Sequence, residues 1–184
     1  MGVTFAVLCV QIALGGWVST NYAVLACNEF PRCQNSWWPE MDFSQGFQVW
    51  RKLGMTPSGE NIGFAALTAI HYAHRMMAVL VLLAGAALAW VLNGVDGMRT
   101  PSRWIAMLMG LQVATGLSNV VLDWPLLAAL LHTGGAGALV MVMTWIVCAS
   151  RVKRAGRADQ TIQSDGAHPT AMHTRTMNIP GLNG

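Results

Sequence analysis

The chain has 184 residues, of which 54% are hydrophobic and 10% charged, far below the roughly 25% charged residues of a soluble domain. With a mean hydropathy of +0.44, this composition excludes an ordinary soluble domain and points to an all-α integral membrane protein surrounded by membrane lipid. The net charge of +3, with no basic run interleaved with aromatics, excludes nucleic acid as a partner.

Four stretches are long and apolar enough to span a bilayer. The first covers residues 2–20, "GVTFAVLCVQIALGGWVST". It enters the apolar run with no basic flank and no cleavage site, unlike a signal peptide. The chain therefore reads as a fragment of something longer, or as one whose start has been trimmed. Residues 21–60 form a long loop. The second span covers residues 61–92, the third 103–122 and the fourth 125–150, with Pro125 suited to a first helical turn. Together they predict a four-transmembrane-helix bundle over residues 1–150. The remainder, 151–184, is polar, aperiodic and contains Gly and Pro, so it reads as a disordered cytoplasmic tail. His168 and His173 in it are expected to be solvated.

Basic residues near span ends stay in the cytoplasm. Arg99 and Arg103 lie between spans two and three, and Arg151, Lys153, Arg154 and Arg157 follow span four. Both regions are therefore expected inside, in a multi-pass inner-membrane protein, and the 21–60 loop outside, in the periplasm. Cys27 and Cys33 of "CNEFPRC" lie in that loop, where an oxidising compartment permits a structural or regulatory disulfide. Cys9 and Cys148 sit in spans as small apolar residues.

"QIALGGWVS" (11–19) and "QVATGLSNV" (112–120) share Q-x-A-x-G. Each opens a helical pair whose second helix carries a histidine, so the chain reads as two hairpins of the same orientation. The match is short, but membrane proteins often place their sites at the interface of internal repeats.

His71, His74 and His132 are the imidazoles within spans. Ionisable groups there are costly and face a bundle interior or a cavity. His74 lies 13 residues beyond Asn61 and His132 seven beyond Pro125, which puts both in the outer half of the bilayer. Depth matches His132 slightly better to His71, and periodicity does not separate His71 from His74, which share a helix face at i, i+3. One lone histidine would suit an interhelical hydrogen bond. Two on different helices at similar depth favour paired axial ligation of a heme.

Three further features bear on that reading. Gly134, Gly135 and Gly137 bare the helix beside His132, as a flat macrocycle requires; the rival reading is close helix packing. Arg75 has no acidic partner inside any span, which leaves Asp123, lipid phosphate or a heme propionate, or outward snorkelling. Gln112, Thr115 and Asn119 form a polar stripe on span three that is expected to face the bundle interior.

Taken together, "LGGWVSTNYAVLAC…FPRC…WWPEMDF", "GEN…IHYAHRM" and "LQVATGLSNV…WPLLAALLHTGGA" resemble the C-terminal half of heme A synthase, over nearly all of residues 8–150. That family oxidises the C8 methyl of heme O to a formyl group for cytochrome c oxidase biogenesis. The resemblance implies half of an eight-helix, two-repeat protein in which His74 and His132 ligate a b-type heme cofactor. It thereby selects His74 over His71. It also implies paired outer-loop cysteines, which Cys27 and Cys33 match, and heme O synthase and cytochrome c oxidase assembly factors as partners.

The family's N-terminal half takes the substrate heme O and carries a catalytic glutamate in an E-x-x-H-R pattern. Here His71 stands at that place and no spanning glutamate exists, so this half is expected to hold heme without completing the oxidation alone. If the chain stands alone, it pairs with itself as a homo-oligomer or with a separate N-terminal half. The rival functions are a plain b-type electron-transfer subunit, against which the loop motif series argues, and a quinone-linked thiol oxidase. The latter needs a second redox cysteine pair, which the chain lacks.

Overall fold

The structure is a computed structural model and describes residues 1–166. Its elements are α1 (Gly2–Thr20), a 3₁₀ turn (Ala23–Ala26), α2 (Phe43–Gly46), α3 (Phe64–Asn93), α4 (Arg99–Val121) and α5 (Leu126–Gly166). Among the described residues there is no strand, only the isolated bridges Cys33–Ser36 and Met55–Asn61. Four helices among the described residues are long and apolar enough to cross a membrane: α1, α3, α4 and the Leu126–Val152 part of α5. Much of their apolar surface faces outward, with Leu83, Trp90, Leu126 and Met141 all exposed. Such exposure is unfavourable in water and natural in lipid.

Two helix limits differ from the sequence expectation. Helix α4 starts at Arg99 rather than 103, because Pro101 falls in its first turn, where a missing N–H breaks no helical bond. Helix α5 runs on to Gly166, through residues expected to be disordered from 151. Loss of apolarity marks the end of a span but not of a helix, and Arg, Lys, Ala and Gln are good helix formers. Residues 167–184, with His168 and His173, lie outside the described residues. The chain divides into two compact units, Met1–Val147 and a second beginning at Cys148. The described part of the second is the end of α5.

Within the first unit, α3 is the central element. Its far half packs on α4: Gly85 makes room for Met109, and the Ser102 hydroxyl donates to Ala89 O at 2.7 Å. Its near half meets α1 in a core of Val18, Ala23, Ile62, Ala66 and Ile70, with Trp17, Val24 and Leu67 against it.

The long connection is ordered and folds back on α3. Trp17 Nε1 donates to Gly46 O at 2.9 Å, and Gly63 N donates to Gln45 Oε1 at 2.6 Å. Asn21, 1% exposed, donates to Trp17 O at 2.9 Å and accepts from Gly54 N. By contrast, α4 and α5 are joined by a tight turn in which Asp123 (φ 52°) and Trp124 (φ 61°) take left-handed backbone. Trp124 N closes it on Asn119 O.

Candidate functional site

Both span histidines expected to bind iron are seated in the same way, and the seats are the Q-x-A-x-G repeats. In the first hairpin, a Cβ added to Gly15 of α1 would stand 3.1 Å from His74 Cε1. The Gln11 side-chain amide lies 3.4 Å from His74 Nε2, and the Gln11 backbone lies against the ring as well. In the second hairpin, a Cβ on Gly116 of α4 would also stand 3.1 Å from His132 Cε1. The Gln112 backbone faces that ring, while the Gln112 side chain donates to His132 O at 3.0 Å. Only glycine lets a helix backbone lie this close to an imidazole without displacing it. The repeat therefore marks two equivalent ring seats. Gln11, Gly15 and Gly116 were visible in the sequence only as part of a short motif, with no role attached.

The two imidazoles are half-buried and lie within electrostatic range of each other. They differ in hydrogen bonding. His132 Nδ1 is 3.0 Å from the Thr115 hydroxyl, whereas His74 Nδ1 is buried with no hydrogen-bond partner. The expected inward face of α4 is thus real for Gln112 and Thr115, which both reach His132. Asn119 Oδ1 is buried without a partner, as is Gln11 Oε1.

His71 goes elsewhere. It is 4% exposed, its ring lies against the Ala23 backbone of the 3₁₀ turn, and its Nδ1 is unpartnered. Arg75 also turns toward the long loop. It donates to Cys27 O at 2.7 Å and Arg32 O at 3.1 Å, with Glu29 and Tyr72 in electrostatic range. The carboxylate near it is Glu29 of the loop, a group outside the set of Asp123, lipid phosphate and heme propionate that the sequence offered. Cys27 and Cys33 are disulfide-bonded with Cα atoms 4.8 Å apart.

One face of α3 is thus buttoned to the loop at successive turns. Thr68 accepts from Gln34 Nε2 at 2.8 Å. The Tyr72 hydroxyl donates to Trp37 O at 2.7 Å, and its ring meets Trp38 edge-on. Arg75 completes the row.

Around His132 the three glycines divide. Gly135 packs on the Gln112 amide, while Gly134 and Gly137 meet nothing within 4 Å. Close helix packing therefore accounts for one of the three. Among the described residues, no group of three or more His, Cys, Asp or Glu gathers as a site for a bare metal ion.

The sequence matches the cytochrome oxidase assembly protein family (COX15-CtaA) over residues 1–144. It is 36% identical over 146 residues to the heme A synthase of Shewanella oneidensis, an alignment that covers 78% of this chain and 44% of that relative. The chain thus spans under half the length of the curated relative it matches. No solved structure matches. With four helices fit to cross a membrane and a match that runs through both histidine-bearing hairpins, this multi-pass membrane chain belongs to the heme A synthase family.

Proposed function

We propose that this chain is the cofactor-holding half of a two-repeat, eight-helix heme A synthase, binding a b-type heme between His74 and His132. The enzyme it serves converts the C8 methyl of heme O to the formyl of heme A. The observation that carries this reading is the duplicated seat. Two imidazoles in electrostatic range are each set on a motif glycine, and two nitrogen ligands with open helix surface at Gly134 and Gly137 suit axial ligation of a flat macrocycle. A bound heme supplies one-electron transfer. The chain's own residues seat the two histidines and fasten the long loop to α3.

Arg75 fits the site through that loop. Two of its five N–H donors serve loop carbonyls, which leaves three for a propionate carboxylate. The chemistry on heme O is assigned to a separate N-terminal half, because the four spans hold no Asp or Glu and His71 stands at the catalytic glutamate's place. The same observation favours a second reading, a b-type electron-transfer subunit with no catalysis of its own. In either reading the chain is placed in the inner membrane with residues 21–60 periplasmic, a sidedness supported by the basic residues at the start of α4 and after the fourth span.

Absorption spectra of the purified, heme-loaded chain test the ligation. His74→Ala and His132→Ala should each lose the low-spin bis-imidazole spectrum, and His71→Ala should keep it. Survival of that spectrum in both ligand variants would sink the proposal. Adding heme O and an N-terminal half separates synthase from electron carrier, since only the synthase yields heme A.

A further inference from the structure

The two proposed ligands have the same seat but unequal partners, and the inequality lies at one hydroxyl. Thr115 is 6% exposed. Its Oγ1 is 2.7 Å from Leu111 O, the carbonyl one turn back, and 3.0 Å from His132 Nδ1. A threonine hydroxyl has one proton. The carbonyl accepts only, so that proton goes to Leu111 O, and the oxygen is left to accept from the imidazole. His132 Nδ1 therefore carries its hydrogen, and the ring's Nε2 is left with its lone pair free. In the first hairpin the corresponding motif position is Leu14, which has no hydroxyl to offer, and His74 Nδ1 is unpartnered.

We infer that Thr115 is a positioning residue that fixes the Nδ1–H tautomer of His132 and makes it the stronger of two unequal axial ligands. The inference rests on the heme-ligand reading above. A hydrogen bond accepted from the far ring nitrogen raises the basicity of a ligating histidine and fixes its orientation. A more basic ligand stabilises ferric over ferrous iron, so Thr115 holds the reduction potential down. Gln112, which donates to the His132 carbonyl from the same helix face, keeps α4 and α5 in register for this contact.

The test compares Thr115→Val and Thr115→Ser in the heme-loaded chain, using optical redox titration and low-temperature EPR of the ferric form. Thr115→Val is close to isosteric and lacks the hydroxyl. It should shift the equilibrium toward ferrous heme on the order of tenfold, which for a one-electron couple is about 59 mV, and should move the low-spin g-values. Thr115→Ser restores the hydroxyl and should return both toward wild type. Thr115→Ala is a second hydroxyl-free variant, to be read in place of Val should Val not accumulate.

Val and Ser variants that behave alike would overturn the inference. His132→Ala distinguishes the two levels. If it keeps the low-spin spectrum, ligation by His132 is wrong and this inference falls with it. If it loses heme while Thr115→Val titrates as wild type, only the role of Thr115 is wrong.

Discussion

The two hairpins use one device to seat a histidine and then diverge in how their helices are joined. In the first, α1 and α3 are joined by more than forty residues that fold back along α3, held at Thr68, Tyr72 and Arg75. In the second, α4 and α5 are joined by a four-residue turn with two left-handed residues. The seat, built from Gln and Gly on one helix against His on the next, is common to both. The connection between the helices is not. The repeat therefore encodes how the two histidines are seated, while the loops encode what makes the two sides differ.

The largest expected effects come from filling the seats. Gly15→Val and Gly116→Val each put carbon where the imidazole now stands 3.1 Å from a hypothetical Cβ. Overpacking of this kind costs about 1–3 kcal/mol, and a displaced ligand lowers metal affinity roughly 10- to 100-fold. Gly16→Val, on open surface, carries the same change in helix propensity and should leave heme content intact. Loss in the Gly116 variant alone would break the equivalence of the two hairpins; matched losses in both would sharpen it.

Next come the fastenings present only on the first hairpin. Arg75→Gln removes two charge-assisted hydrogen bonds to the carbonyls of Cys27 and Arg32. Bonds of this type contribute about 1.5–3 kcal/mol each. Because the guanidinium is half-buried, the expected loss is about 2–3 kcal/mol in total. Limited proteolysis of the 27–38 segment would report it as faster cleavage, with α4–α5 cleavage unchanged. The paired change Cys27→Ser, Cys33→Ser opens a loop with a sequence separation of six. Chain entropy alone sets that at about 2 kcal/mol, read in the same assay. A disulfide-free chain whose loop is cleaved no faster would mean that the α3 contacts hold the loop unaided.

The spans were legible because hydropathy over twenty residues is a strong signal, and α1 coincides with its expected limits. The Q-x-A-x-G repeat was legible as a pattern and illegible as a function. Its role depends on which helix face meets the histidine across the hairpin, and a single sequence does not contain that. The loop contacts of Arg75 were illegible for a related reason. Its partners are backbone carbonyls, which every residue has, so no sequence feature announces them. Its nearby carboxylate, Glu29, belongs to the loop and lies far from Arg75 in sequence. The course of the loop over α3 was hidden in the same way, since Tyr72 and Gln34 also spend their hydrogen bonds on backbone or on a buried threonine. Buried polar side chains announce themselves in a sequence, whereas the backbone acceptors that satisfy them do not.

The smallest effect distinguishes the loop by its response to acid. Asp42 caps α2, accepting from the Ser44 hydroxyl at 2.6 Å and from Gln45 N at 2.9 Å. These bonds favour the carboxylate and hold its pKa below the ordinary aspartate value, with the Ser44 hydroxyl the larger cause. A depressed folded-state pKa means that the stabilisation is complete above the unfolded value of about 3.9 and is lost as pH falls through the folded one. Asparagine caps a helix about as well as aspartate and does not titrate. Amide exchange at Gln45 and Gly46 should therefore accelerate on acidification below pH ~4 in the wild-type chain more than in Asp42→Asn. Because the two chains differ only at residue 42, the difference between them isolates the cap. Equal acid responses would remove α2 from the features that set the first hairpin apart, leaving its distinction to Arg75 and the disulfide.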